Sequence, residues 1–505
     1  MTAQLLVSRA AGGAPKVSVQ MAQELAASIG VCGRRVIRRV LDCETGTEQL
    51  IGIPCGSTRE SRCPACAHKA RVLRMQQCAE GWHLTHEPEQ PHRSDDHDQT
   101  GEQDAEDEGR RVRSTRRRDD APDLPRVPVE DRTVGQVFTA PDGHEYRPSM
   151  FLTLTLPSYG PIRDGAPVDP SGYDYRRAAL DAVLFPRLMD RFFQNLRRCA
   201  GYKVQYFAAI EAQHRLAPHL HAAIRGAIPR QTLRQVIQAT YLQVWWPPFD
   251  TPVYRHRLPE WEGDNYLDPD SGRPLPTWDQ ALAELDADDS AVPAHVMRFG
   301  RQYDMQGIIA PSAQADRAVR YLTKYLTKAI SDTHHPDLAA AAAYERHIDR
   351  LHAELRYLPC SPRCANWLRY GVQPHDLGPG LVPGHCTGKA HDRENLGLGG
   401  RRVLVSRHWS GKTLSRHRAD RADVVRETLL AAGFEPPQVD RLAPNATTPD
   451  GQLRYRWSDV RPDARTYTRV LLNDIAEHQT WKAQYQQAKT TTPVHTNSAT
   501  TGPAP

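Results

Sequence analysis

The most restrictive feature of the chain is a pair of strand-like runs, Lys203 to Ala212 and His219 to Arg225, joined by the polar turn Gln213 to Pro218. A short link between two such runs predicts an antiparallel hairpin. Residues two apart in a strand share a face, so His219 and His221 point the same way and Leu220 turns to the core. A hairpin closing about Arg215 places Glu211 across from His219 on that same face. Two imidazoles and a carboxylate with open positions suit Mg²⁺ or Mn²⁺ in Lewis-acid chemistry. His214 competes with Glu211 for the third place, and the plainer alternative is a pair of ordinary strand histidines.

Other segments supply the elements around this hairpin. Phe151-Leu-Thr-Leu-Thr-Leu156 alternates apolar residues with Thr and stops at Pro157, which predicts a half-buried strand. Leu180, Val183, Leu184, Leu188, Phe192 and Leu196 fall on one helical face, with Arg197 and Arg198 near the helix end. Further helices are predicted over Gln231 to Trp245, Asp316 to Ile330 and Leu338 to Leu358, with a proline- and acid-rich insertion from Trp246 to about Val296.

The helix predicted over Asp316 to Ile330 carries a tandem repeat, Tyr321-Leu-Thr-Lys324-Tyr325-Leu-Thr-Lys328. At 100° per residue Tyr321, Tyr325 and Lys328 form one stripe with Lys324 beside it, while Val319, Leu322, Leu326 and Ile330 form an apolar one. Cations near a phenol favour its phenolate and neutralise a phosphate, as a tyrosine nucleophile attacking a phosphodiester requires. An amphipathic helix with aromatic packing is the alternative.

Composition narrows the setting. The 505 residues include 40 prolines and only 39% hydrophobic side chains, enough for two to four domains with some of the length spent on linkers. Residues 85–135 carry an acidic block (Asp95 to Glu108) followed by a basic one (Arg110 to Arg118) and read as a disordered charged linker; 476–505 reads as a flexible tail. No apolar run is long enough for a membrane span or a signal peptide, so the chain is expected to be cytoplasmic and its ten cysteines to be metal ligands or thiols. Fifty-six arginines against nine lysines favour a phosphate-bearing partner, although codon usage in a GC-rich genome produces the same excess.

Cys63-Pro-Ala-Cys66 is a C-x₂-C knuckle that Cys55 and Cys32 can complete as a structural Zn²⁺ site, with Cys43 and Cys78 as surplus candidates. Cys360, Cys364, Cys386 and His391 frame a second such site, in which His385 is an alternative ligand. Arg401, Arg402, Arg407, Lys412, Arg416 and Arg418, with Trp409 among them, form a basic run suited to DNA phosphates and base stacking, or else a solvated face. Ser410-Gly-Lys-Thr413 lacks the glycine a phosphate-binding loop needs at position 406, so no ATPase is expected.

Phe151-Leu-Thr-Leu-Thr, Pro218-His-Leu-His221 and the Tyr321 to Lys328 repeat together resemble the ordered motifs of HUH endonucleases, specifically the rolling-circle replication initiators of actinobacterial plasmids and integrative elements. The resemblance extends through Ile53 to Cys66 and through Leu396 to Thr413. It implies an α+β chain built on a nuclease domain with a central antiparallel, ferredoxin- or RRM-like sheet flanked by helices, over residues 136–335. An N-terminal zinc-binding module (1–84) and a helical, Cys/His-containing basic region (336–475) flank it. It also implies that His219 and His221, with Glu211 as third ligand, hold the catalytic ion, and that a tyrosine attacks origin DNA at a single-stranded nick site. A 5′-phosphotyrosyl link and a free 3′-hydroxyl that primes synthesis result, with a host helicase and polymerase as partners. Tyr325 is the expected first nucleophile because Lys324 adjoins it and Lys328 lies one turn on, with Tyr321 acting in turn. A transposase or relaxase would use the same residues on different DNA, and a zinc-stabilised DNA-binding regulator would use none of them for catalysis.

Overall fold

A computed structural model describes residues 17–84, 86–88, 118–143, 145–310, 312–324, 326–329, 338–400, 402–434 and 446–491. Along the chain these form α1 (Val19–Ser28), β1 (Val36–Asp42), β2 (Glu48–Ile53), α2 (Pro64–Trp82), β3 (Glu145–Leu154), α3 (Tyr175–Cys199), β4 (Tyr206–Ala212), β5 (Pro218–Ile224), α4 (Arg230–Ala239) and β6 (Tyr241–Val244). They continue as α5 (Trp278–Ala287), β7 (His295–Arg298), β8 (Tyr303–Ala310), α6 (Ala313–Thr323), α7 (Leu338–Tyr357), β9 (Val403–Val405), α8 (Leu414–Ala431), β10 (Tyr455–Asp459) and α9 (Ala464–Thr491). The fold is α+β with antiparallel sheets, as expected. Among the described residues no helix is long and apolar enough to cross a membrane.

The chain divides into two compact units, the first drawn from Met1–Gln76 and Thr413–Pro505 and the second from Gln77–Lys412. In the first, β1 is the middle strand of a three-stranded sheet between β10 and β2, and α9 packs on α1 through Leu471, Ile475, Ala22 and Ala26. The C-terminal residues from 413 onward therefore fold with the N-terminal cysteine segment, a pairing across some 400 residues that no local pattern announces. The flexible tail expected from 476 is helical as far as Thr491. Most of the expected charged linker lies outside the described residues; its end from Arg118 to Gly135 is ordered, with Arg118 donating to the Tyr241 hydroxyl and Glu130 bridging to Tyr202.

The second unit is built on a sheet ordered β8-β3-β5-β4-β9, to which the short strand Phe138–Thr139 adds at β3. Alternation sorts its residues cleanly. Leu152, Leu154, Leu220, Ala222, Ile224, Ala208 and Ile210 are buried against α3, whose Leu184, Phe185, Leu188, Phe192 and Leu196 form the predicted apolar face. Asp174 caps this helix by accepting from the Arg177 N–H. The opposite face of the sheet carries Glu211, His219, His221 and Thr153. The helix expected over Gln231 to Trp245 ends at Ala239, where the chain turns into strand β6, paired with β7. The insertion is thereby ordered, and Trp246, Phe249 and Trp278 join the main core.

Farther along the face that carries the histidines, Arg225 and Arg147 are almost fully buried. Arg225 donates to the main-chain carbonyls of Gly81 (3.1 Å), His408 (3.0 Å) and Trp409, and Arg147 donates to that of Trp82. These guanidiniums thus satisfy carbonyls at the C-terminal end of α2. Burial holds both below the usual arginine range, Arg225 at about 9 and Arg147 at about 10. Removing the Arg225 head group strands several buried acceptors at once, so Arg225→Ala is expected to cost about 3 kcal/mol or more. A fall of several degrees in the unfolding temperature measures this; an unchanged temperature contradicts it.

Candidate active site

The hairpin closes as its sequence predicts. Glu211 lies opposite His219, Ala209 opposite His221, and Leu216 takes a positive φ (56°) in the connecting turn. Side-chain donor atoms of Glu211, His219 and His221 all lie within 4.8 Å of one another. His214, the competing third ligand, is not part of this set.

Hydrogen bonds orient both imidazole rings, and that to the Glu211 carbonyl fixes the tautomer of His219. His219 donates from Nδ1 to the Glu211 carbonyl (3.0 Å), and His221 Nδ1 faces the Thr153 hydroxyl (3.0 Å), so both Nε2 atoms turn inward and stand 2.8 Å apart. Glu211 Oε2 is 3.9 Å from His221 Nε2, and Glu211 Oε1 is buried without a hydrogen-bond partner. Two imidazole lone pairs and an orphaned carboxylate oxygen converging on one point are the donor chemistry of a divalent cation, and these residues fit one. Burial sets the protonation. It pushes the Glu211 carboxyl up to about 7 against the opposing pull of Arg402 and Lys324, and lowers His221 to about 4.

Of the tandem tyrosines, Tyr321 comes to this site. Helix α6, capped by Ser312 accepting from the Ala315 N–H, buries Val319 and Leu322 and packs on β8, β5 and β4. Its last turn carries the Tyr321 hydroxyl to 3.3 Å from His221 Nε2, with the ring edge-on to His221 and to Phe151. Tyr321 remains 44% exposed, so a polymer can reach it. The helix expected through Ile330 ends at Thr323, with Lys324 as its C-cap, and Leu326 and Thr327 lie in a turn. The predicted stripe of Tyr321, Tyr325 and Lys328 therefore does not extend along one helix. Tyr325 lies outside the described residues. Lys328 gives its carbonyl to the Arg402 guanidinium.

An open cleft of about 510 Å³ runs from His221 and Tyr321 past Thr153 and Phe151 to Asp304 and Arg317. Thr153, Asp304 and Arg317 escaped the sequence reading. The alternation of Phe151 to Leu154 signals Thr153 in retrospect, since it shares the face of His221; no local pattern marks the other two.

Comparison with known proteins bears on what such a site belongs to. Residues 18–477 match the model of a family described as "Replication initiator protein, pSAM2". The chain belongs to this replication initiator family. A "Replication initiator protein" from Streptomyces ambofaciens is 25% identical over 318 residues, covering 56% of this chain and 53% of the relative, so the chain spans about half the length of the curated relative it matches. No solved structure matches the chain.

Two further donor sets occur among the described residues of this replication initiator family member. Cys32, Cys55, Cys63 and Cys66 place their sulfurs within 4.8 Å of one another, with Cys63 to Cys32 at 3.7 Å and Cys55 to Cys66 at 3.8 Å. A tetrahedron of Zn–S bonds near 2.3 Å has edges of about 3.8 Å, so the cluster has the dimensions of a thiolate zinc site. Burial raises the Cys66 thiol; at Cys32 burial is opposed by the N–H groups of Cys55 and Arg34 together with the Cys66 and Cys55 thiols, and the net shift is downward. Cys360, Cys364, Cys386 and His391 form the second set, with His391 Nδ1 donating to the Leu355 carbonyl (2.7 Å) and Nε2 turned to Cys364 (3.5 Å). His385, Cys43 and Cys78 belong to neither set.

The structure withdraws two residues, Trp409 and Arg402, from the basic run. Trp409 is fully buried, its indole N–H donating to the Gln77 carbonyl, so it cannot stack on bases. Arg402 is buried as well and serves main-chain carbonyls of Ile210 and Lys328. Arg407 is exposed, Lys412 pairs with Glu80 at 3.4 Å, and Arg401 lies outside the described residues. Thr413, beyond the failed phosphate-loop motif, is the N-cap of α8.

Proposed function

We propose that this chain initiates plasmid replication as an HUH-type, metal-dependent DNA nicking and joining enzyme with Tyr321 as its first nucleophile. The observation that carries this reading is the Tyr321 hydroxyl standing 3.3 Å from His221 Nε2, beside the converging donors of Glu211 and His219. His219, His221 and Glu211 hold Mg²⁺ or Mn²⁺, which when bound supplies Lewis-acid polarisation of the scissile phosphate. Thr153 and the Glu211 carbonyl fix the two imidazole rings. Tyr321 attacks the phosphorus, a 5′-phosphotyrosyl bond forms, and the 3′-oxygen leaves as the hydroxyl that primes synthesis. Lys324 lies close enough to favour the charged form of Glu211 and adds positive charge where the phosphate sits. Lys328 carries a second charge on the following turn. With no phosphate-binding loop in the chain, a host helicase opens the duplex and a host polymerase extends the 3′ end. Origin DNA, with a single-stranded nick site, is the substrate. Nicking of the supercoiled parent plasmid with Mg²⁺ or Mn²⁺ tests the reading; plasmid left intact with both metals, or nicking undiminished in His219→Ala, overturns it.

The two cysteine clusters are proposed as structural Zn²⁺ sites. Purified protein is expected to contain two zinc ions per chain by elemental analysis, and Cys63→Ser to lose one of them with a drop in unfolding temperature, because zinc binding there is folding free energy. Zinc-free protein with an unchanged melting curve contradicts the assignment.

A further inference from the structure

The register of the nuclease sheet aligns three residues of adjacent strands, His221 on β5, Thr153 on β3 and Asp304 on β8. Partners in register share a face, so Asp304 lies on the floor of the same cleft, two strand spacings or roughly 10 Å from His221. That is too far to join the Glu211, His219 and His221 donor set, to which it does not belong. Gln306, two residues on and therefore on the same face, donates its amide N–H to the Asp304 carboxylate at 2.6 Å. Both residues are exposed on the cleft floor. On the opposite wall Arg317 precedes Tyr321 by one helical turn.

A carboxylate is an unsuitable neighbour for DNA phosphates and a good acceptor for the exocyclic amine of a base. The donated hydrogen bond fixes the Asp304 carboxylate and leaves the Gln306 amide oxygen to accept beside it. Thymine offers two carbonyls flanking one N–H and is repelled by such a pair of acceptors, whereas guanine, cytosine and adenine each present an amine. Arg317 supplies the complementary contact to a phosphate, which positions without specifying.

We propose that Asp304, oriented by Gln306, reads one base next to the scissile phosphate and selects an amine-bearing base over thymine, with Arg317 holding an adjacent phosphate. This inference rests on the nuclease reading above. Its test uses the full chain with Mn²⁺ and single-stranded oligonucleotides spanning the nick mapped on the parent plasmid. Each flanking position is replaced in turn by thymine or by the amine-free counterpart of its base, inosine for guanine, 2-pyrimidinone for cytosine and purine for adenine. Loss of the amine at one position is expected to slow covalent adduct formation about tenfold to a hundredfold in the wild type. Asp304→Ala, which removes the acceptor from an exposed position, is expected to lose that discrimination at the same position and at no other. Wild-type protein that tolerates amine deletion at every flanking position overturns the inference, as does Asp304→Ala that discriminates as the wild type does. If wild-type protein forms no adduct with any oligonucleotide, the nuclease reading fails and this inference with it; an adduct without amine dependence fails the inference alone.

Discussion

Tyr321→Phe is expected to remove the covalent protein–DNA adduct and to slow nicking by on the order of a thousandfold or more, because no other described group stands where the Tyr321 hydroxyl does. The substitution deletes one oxygen from a half-exposed side chain and leaves the ring against Phe151 and His221, so the fold and metal binding are expected to persist. Titration of the variant with Mn²⁺ separates loss of the nucleophile from loss of the metal site. Tyr325→Phe, by contrast, is expected to retain the first nick. The opposite pattern, with adduct kept in Tyr321→Phe and lost in Tyr325→Phe, assigns the nucleophile to the second tyrosine of the repeat.

The second large effect concerns protons and metal at Glu211. Its carboxyl is pushed up to about 7 by burial, from an ordinary value of 4.5, while burial holds His221 near 4. Between roughly pH 4.5 and 7 the metal-free folded chain therefore keeps a proton on Glu211 that the unfolded chain has released. The stability of the metal-free protein falls as pH rises through that window, by up to about 3 kcal/mol. Glu211→Gln removes this penalty, so the metal-free variant is expected to be the more stable protein at pH 8 and no more stable at pH 4. A cation must displace the same proton, and Mn²⁺ affinity is expected to weaken about tenfold for each pH unit below 7 in the wild type. In Glu211→Gln the affinity is lower throughout and loses this dependence. Calorimetric titration at pH 5, 6, 7 and 8 reads both slopes, and a flat wild-type profile contradicts the assignment of Glu211 as a ligand.

The cluster of Glu211, His219 and His221 was legible in the sequence because a hairpin turns a linear pattern into a spatial one. His219 and His221 share a face by alternation alone, and a turn centred on Arg215 brings Glu211 opposite His219. The cysteine sets were legible for a similar reason, since the knuckle of Cys63 and Cys66 straddles the start of α2 and narrows the search for partners. The tyrosine helix was legible only in part. Its periodicity continues past Thr323, but the helix does not, and an apolar stripe carries no information on where a helix stops without a cap signal. Strand β6 was hidden inside a helical pattern because Tyr241 to Val244 is too short for its period to declare itself, and its pairing with β7 decided the outcome. Two members of the basic run, Arg402 and Trp409, were misread for a different reason. Charge in sequence says nothing about burial, and Arg402 and Trp409 are spent on main-chain carbonyls of the core. Asp304 could not be found at all, because its place beside Thr153 depends on the order of three strands.

Mass spectrometry of the protein–DNA adduct tests the central claim most directly. Trypsin is unsuitable, since cleavage after Arg320, Lys324 and Lys328 yields two identical Tyr-Leu-Thr-Lys peptides. Cleavage before aspartate keeps Asp316 to Ser331 as one peptide, in which fragment ions separate the two tyrosines. After reaction with the parent plasmid and nuclease trimming, a nucleotide linked through its 5′-phosphate to Tyr321 is expected. A nucleotide on Tyr325 alone, or nicked plasmid with no modified tyrosine, contradicts it.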